Sequence, residues 1–501
     1  MHRALHVNEL FKSILEQLDV SAGNIDNQSL ANLAVVCREW HEPALDVLWR
    51  TQRKLLPLFK TFPTHKWNTI TAALVEDDWL RFGHYARRIQ HIITRPEEID
   101  QTLLPLLRLR SQFYPLFTKL TSLQCGSCFA TQPTSWLTII PFMGMSLRHL
   151  SIIFPISPWL PVGALQLFSV LRDRTPSLER LEIRGEMTPH VANAAFNAAL
   201  SLPKLDSFHT EDTAITSPRL LPLSHLDHLR ELSLKLDENT LLADITADYF
   251  PTFHSLETVN LNTTAPSFAT TFILKFLTGS PLRELKLAFC HALNQDHAMQ
   301  LSSAMAQVLP HHSIIAIRVW CVENARDPRD DYIHMLDVAT LRNLFVFHNL
   351  QVFTFNVKMN YGPIDDKFIG DLVTEWPALR ALSLVPTGRT PCPVIGLPLS
   401  GLIHFTRSRN LIYLNVLFDG SNLPQNPPAN GLSCPSLRHL DVHASSFNIL
   451  DLHAVASLIY DIFPNLTDSI KSLEPSFEED ETWRAMLWSN INCRYNSFAK
   501  T

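Results

Sequence analysis

One phrase recurs through most of this chain and constrains its fold more than any other feature. It has the form L-x-x-L-x-L and usually follows a Pro or a polar turn residue. It reads KLTSLQC at 119–125, SLRHLSI at 146–152, SLERLEI at 177–183 and KLDSFHT at 204–210. HLRELSL (228–234), SLETVNL (255–261), PLRELKL (281–287) and SIIAIRV (313–319) follow. NLQVFTF (349–355), ALRALSL (378–384), NLIYLNV (410–416) and SLRHLDV (436–442) complete the series. From Leu120 to Leu437 the eleven intervals average about 29 residues, within the span of known solenoid repeats. A weaker copy, RRIQHIIT (87–94), places Ile89 and Ile92 in the same frame.

The L-x-L end of the phrase alternates, so its two apolar residues face one side of a short strand. Between the strands, HVANAAFNAAL (190–200), DHAMQLSSAMAQVL (296–309) and DKFIGDLVTEW (366–376) carry apolar residues at three- and four-residue spacing. One strand and one helix cannot close a core, but a stack of such units can. The pattern resembles leucine-rich-repeat solenoids. It implies an α/β fold, a horseshoe with a parallel sheet on the concave side and helices on the convex side. A doubly wound α/β domain also alternates strand and helix, but it would want continuous apolar strands and nucleotide-site loops.

The expected organisation is a helical block at 1–50, a helical linker and N-terminal cap at 51–85, about 12–13 repeats over 86–465, and a C-terminal cap or tail at 466–501. KLLPLFKTFP (54–63) reads as a short helix closed by Pro, and TAALVEDDWLRFGHYARRI (71–89) as an amphipathic cap. In SLEPSFEEDETWRAMLWSN (472–490), Trp483, Met486, Leu487 and Trp488 suggest a C-terminal cap helix.

Composition narrows the function. The 501 residues are 46% hydrophobic and 18% charged, as in globular chains, with a formal net charge of −6. No run of five or more Lys/Arg occurs, so no nucleic-acid footprint is expected. Charges at Glu9, Lys12, Glu16 and Asp19 interrupt any secretory h-region, and no long apolar run predicts a membrane span. Eight Cys suit reduced thiols in the cytosol or nucleus.

Several groups were weighed for chemistry. Cys125 and Cys128 form a C-x-x-C, but the repeat frame accounts for both, as it does for Cys290. His311–His312 reads as a turn, and Asp365–Asp366 falls where a helix N-cap is expected. Asp327 to Asp331 reads as a solvated loop. No phosphate loop, nucleophile elbow or kinase signature is present, so no catalysis, metal or cofactor is expected. An enzyme built on the horseshoe has only these loose carboxylate clusters in its favour.

In the N-terminal block, ALHVNELFKSILEQL (4–18) puts Leu10, Ile14, Leu15 and Leu18 on one helical face. A polar loop spans 19–29, Ser29 can cap a helix over 30–41, and Pro43 suits the first turn of a third helix at 43–50. Three short helices bury too little surface to stand alone. The pieces V-C-R-x-W (36–40) and L-W-R (48–50), with E-L and I-L-x-x-L before them, resemble an F-box. Two departures are His6-Val7 in place of the opening apolar-Pro step and a longer loop at 19–29.

The whole chain thus resembles fungal F-box proteins with leucine-rich repeats. That resemblance implies the substrate-recognition subunit of an SCF-type, cullin-RING ubiquitin ligase in the cytoplasm or nucleus. The F-box would dock a Skp-type adaptor, and through it a cullin, while the repeats hold a protein target. It implies an adaptor face from Leu5, Val7, Leu10, Ile14, Leu15 and Leu18. Val36, Cys37, Trp40 and Trp49 would divide between that face and a small internal core. The alternative is a repeat scaffold without any ligase link. Solenoid partners usually meet the concave strand face or its rim. The candidates there are Arg184, His209, Glu211, Lys235, Asn260, Asn262, Arg318, Trp320, Asn356, Lys358, Asn415, Asp441 and His443.

Overall fold

The computed structural model divides the chain into two compact units, Met1–Thr213 and Ala214–Thr501. It describes residues 27–62, 74–95, 104–126, 136–155, 163–214, 217–236, 252–322, 334–387, 395–423, 432–443, 445–447, 451–467, 470–472 and 489–495.

In the first unit the strands Thr51–Gln52, His91–Thr94, Ser122–Gly126, His149–Ile153, Arg180–Arg184 and Ser207–Ala214 pair in chain order, each parallel to the next. The second unit continues the scheme with Glu231–Leu236, Thr258–Thr263, Glu284–Phe289, Ala316–Cys321, Val352–Asn356, Ala381–Leu384, Tyr413–Val416, His439–His443 and Lys471–Ser472. Strand order never reverses within either unit. A doubly wound sheet would carry such a reversal, so the fold is the leucine-rich-repeat solenoid.

The repeat frame is the core. All twelve first-position residues, from Leu120 to Leu437, are at most 2% exposed. Ile89 and Ile92 are fully buried, so the weaker copy belongs to the same series. Each such Leu withdraws enough apolar surface to stabilise by about 1.5–3 kcal/mol, and no repeat achieves this without its neighbours.

Polar residues flanking the frame stitch one repeat to the next. The two amides that follow eleven of the twelve frame residues share a single carbonyl of the preceding repeat: Arg148 and His149 bond Thr121, Arg283 and Glu284 bond Glu257, and Arg380 and Ala381 bond Gln351. The residue before the frame Leu donates a side-chain bond backwards as well. Ser146, before Leu147, reaches Leu120 O (2.9 Å) and Ser313, before Ile314, reaches Leu282 O (2.7 Å). These bonds satisfy buried backbone that no helix or ladder could serve.

The returning segments are helical where apolar periodicity is long enough. Pro189–Ser201 and Pro266–Phe276 begin with Pro in the first turn. Gln295–Val308 and Asp366–Glu375 are capped by Asn294 and Asp365, whose side chains accept from the amides of His297 (2.7 Å) and Phe368 (2.8 Å). Trp136–Phe142 and Leu399–Arg407 are tighter 3-10 turns. Phe253, Phe272 and Phe276 fill one layer of the second unit, with ring centroids 5.3–6.3 Å apart.

Two strands lie outside the expected 86–465 span. Thr51–Gln52 precedes it and Lys471–Ser472 follows it, the latter after a break in register. Neither has the L-x-L alternation, so only backbone pairing marks them. Near the chain's end, Asn492 bonds both the N–H (2.7 Å) and the C=O (2.9 Å) of Ile470, beside this last strand. Tyr495 donates to Phe463 O at 2.6 Å. Residues 489–495 therefore occupy unpaired backbone where the sheet runs out. Most of the expected cap segment, including Trp483, Met486, Leu487 and Trp488, lies outside the described residues.

Candidate protein interface

The described part of the N-terminal block is two helices, Asn27–Val36 and Arg38–Arg50. The chain breaks at Cys37 (φ −156°, ψ 163°), and Pro43 lies inside the second helix. This corrects the expected 30–41 and 43–50 boundaries. A straight helix through residue 41 would leave the stripe Leu30, Leu33 and Ala34 with nothing opposite it. Folding back at Cys37 packs Leu30 and Ala34 on Ala44, Leu45 and Val47. Pro43 deprives the Glu39 carbonyl of its helical partner, and Glu39 is exposed, so water can serve it. His41 Nδ1 lies 2.8 Å from Ala34 O, a carbonyl left over where the first helix ends.

This helix pair is fastened to the elements at 76–92 by side-chain contacts. Trp49 packs on Tyr85 of the helix Glu76–Ala86 (centroids 4.7 Å). That helix starts with the Asp78 carboxylate accepting from Val75 N–H at 2.9 Å. Arg88, with only 4% of its side chain exposed, forms ion pairs with both Glu42 and Asp46. Burial disfavours its charge, and hydrogen bonds to these two carboxylates more than restore it. The bond to Arg88 holds Glu42 below the usual carboxylate range. His84 Nε2 lies 3.3 Å from the same guanidinium, and burial followed by the charge of Arg88 pushes its pKa down. Gln52 pairs with Ile92, so Trp49, three residues earlier, stands where Ile89 stands in the next repeat.

The two sides of this element differ. Trp40, Leu48 and Trp49 lie partly buried against the small core. Val35 is 82% exposed and Val36 57%, with Cys37 half-buried beside them. Leu5, Val7, Leu10, Ile14, Leu15 and Leu18 lie outside the described residues.

The register also arranges the sheet face turned away from the core. In the first unit Gln124, Ser151, Glu182 and His209 form one row. In the second, Ser233, Asn260, Lys286, Arg318, Thr354, Ser383, Asn415 and Asp441 form another. Lys235, Asn262, Ala288, Trp320 and Asn356 lie beside it. Many of these side chains already have partners within the chain. Arg184 pairs with Glu182 (2.5 Å), Ser207 Oγ lies 2.7 Å from His209 Nε2, and Arg318 and Lys286 share Glu284. Asn415 is buried and donates to Ser383, which donates to Asn356 (both 3.0 Å). Trp320 and Lys358 are half-buried, and the side chains of Glu211 and His443 lie outside the described residues.

The groups weighed for chemistry fall into structural places. Cys125 is fully buried, and burial pushes its thiol up, away from the reactive thiolate. Cys290 Sγ lies 3.6 Å from Asn262 Oδ1. His311 Nε2 bonds Ala306 O (2.7 Å) in a turn. Cys128 and Asp327 to Asp331 lie outside the described residues. Among the described residues no three His, Cys, Asp or Glu converge as metal ligands, and no helix is long and apolar enough to cross a membrane.

Sequence reasoning missed the Arg88 clamp. Its one available signal was the spacing of Glu42 and Asp46, four residues apart on a single helical face.

No family model and no curated protein matches the chain. Among solved structures it is similar to the Rad7 and Elc1 complex in yeast, with 15% identity over 92% of this chain and 97% of that chain (TM-score 0.40). An internalin, inlF, from Listeria monocytogenes is similar at 9% identity over 72% of this chain and 91% of that one (TM-score 0.34). The TLR13–ssRNA13 complex is similar at 12% identity over 73% and 56% (TM-score 0.33). The fold assignment above rests on the parallel register and the buried frame.

Proposed function

We propose that this protein is a non-catalytic substrate receptor of an SCF-type ubiquitin ligase, acting in the cytoplasm or nucleus. Its F-box-like residues 1–50 dock a Skp-type adaptor, which links to a cullin, and its repeats hold a protein target. The observation that carries the reading is the two-sided helix pair. One side is clamped to the first repeat by Trp49 and Arg88, while Val35 and Val36 stand open to solvent. Adjacent exposed valines on a well-packed element suit a partner surface. A rigid junction also suits a receptor, since a target held by the repeats must keep a fixed relation to the docked ligase.

Co-purification of the full chain with a Skp-type adaptor tests this. The double substitution Val35→Asp and Val36→Asp should abolish recovery of the adaptor. Unchanged recovery would sink the proposal. A repeat scaffold without a ligase link is the second reading, favoured by Trp40 and Trp49 packing within the chain itself. It predicts no adaptor recovery from the unmodified protein.

A further inference from the structure

An open groove of about 580 Å³ lies in the second unit, at the start of four consecutive strands. Arg380, Arg409 and Arg438 line it, together with Gln351, Asn410 and Ser436. Among the described residues no carboxylate lines it. The arginines are exposed in a chain whose net charge is negative.

The same strand-start position in other repeats shows what is unusual here. In two of them an arginine faces a glutamate on the next repeat: Arg148 pairs with Glu179, and Arg230 lies 3.8 Å from Glu257; Arg283 has Glu257 on the preceding repeat and Ile315 on the next. In the groove the neighbour of both Arg380 and Arg438 at that position is Ile412. Arg438 donates to Asn465 O (3.0 Å), and neither Arg380 nor Arg409 has an ion-pair partner among the described residues. Among the described residues no carboxylate takes the place that Glu179 and Glu257 take there.

We infer that the groove receives an extended acidic segment of a partner protein, whose carboxylates take the place of the missing glutamate. This deepens the proposed function, resting on its reading that the repeats hold a protein target. The spacing favours a row of carboxylates. Arg380 and Arg438 stand two strands apart, about 10 Å, and a peptide in the extended polyproline II conformation advances about 9 Å in three residues and returns its side chain to the same face. That separation exceeds the span of one phosphate group's oxygens. Acid side chains at i and i+3 would meet the two guanidinium forks, with Arg409 between them. Gln351, Asn410 and Ser436 would bond the peptide backbone.

The test uses the full-length protein and fluorescein-labelled peptides in an anisotropy titration. One peptide carries Glu at i and i+3, a second carries Gln there, and a third carries phosphoserine. The Glu peptide should bind, the Gln peptide should not, and affinity should fall as salt rises. Each of Arg380→Gln, Arg409→Gln and Arg438→Gln should weaken the Glu peptide by about threefold, and the triple variant by about thirtyfold. The triple variant should keep the parent melting temperature, because these side chains are exposed. Arg148→Gln, at a strand start whose arginine is already paired, should leave binding unchanged. Equal binding of the Gln peptide, a triple variant that binds normally, or an equal loss in Arg148→Gln would overturn the inference. So would binding that requires phosphoserine, or a single-stranded oligonucleotide that binds tighter than the Glu peptide. Adaptor recovery reads the other proposal separately. A protein that recovers adaptor but ignores the Glu peptide loses only the groove. One that binds the peptide without adaptor loses the ligase role.

Discussion

The repeats and the helix pair at 27–50 carry the same kind of apolar stripe, yet they end differently. Every first-position residue of the twelve repeats is closed to solvent, whereas the helix pair keeps Val35 and Val36 in the open. Both stripes need a neighbour. The repeats find it on both sides within the chain. Among the described residues the helix pair finds it on one side only, through Trp49, Tyr85 and Arg88. An apolar residue left uncovered in an otherwise well-packed element is informative in a way that a buried one is not.

The sharpest way to break the contrast is to damage a repeat. Phe272→Ala removes a fully buried ring and should destabilise the second unit by about 3–5 kcal/mol in denaturant unfolding. Hydrogen exchange should rise over 258–289 and stay unchanged over 38–50. Arg88→Ala should do the reverse at smaller cost. It strands Glu42 and Asp46, both about half exposed, so the loss is about 1–2 kcal/mol. Protection should fall in 38–50 and 76–86 alone.

Acid should loosen the same junction. His84 and Glu42 both have folded pKa values below their ordinary ones of 6.5 and 4.5. Their stabilisation is fully present above those ordinary values and is lost as pH falls through the folded ones. Protection factors at 38–50, taken relative to the intrinsic exchange rate at each pH, should therefore fall below about pH 6.5 and again below about pH 4.5, with the first step absent in His84→Gln. The smallest effect on stability belongs to Val35→Asp with Val36→Asp, within about 0.5 kcal/mol for surface positions, despite its decisive effect on adaptor recovery.

Most of the fold was legible because the frame Leu repeats at nearly constant spacing and nothing else explains that spacing. Helices 190–200, 296–309 and 366–376 came within a residue or two of their observed bounds. The terminal strands at 51–52 and 471–472 were not legible, because backbone pairing alone defines them and leaves no apolar signature. The break at Cys37 was hidden for a related reason: an unbroken stripe predicts a straight helix, and only tertiary packing folds it back. Arg88 and the unpartnered Arg380 and Arg409 escaped because pairing is a property of register. Which arginine faces a glutamate depends on residues about thirty positions away.

The position of Trp49 has one more consequence, for engineering. It closes the helical motif and also fills the first slot of the sheet's opening repeat. The helix pair at 27–50 is thus not a cassette that can be cut after Arg50 and fused elsewhere. A transplant would have to carry Gln52, Tyr85 and Arg88 with it. A single residue inserted between Trp49 and Thr51 would shift the strand's register by one and aim its side chains at the wrong face.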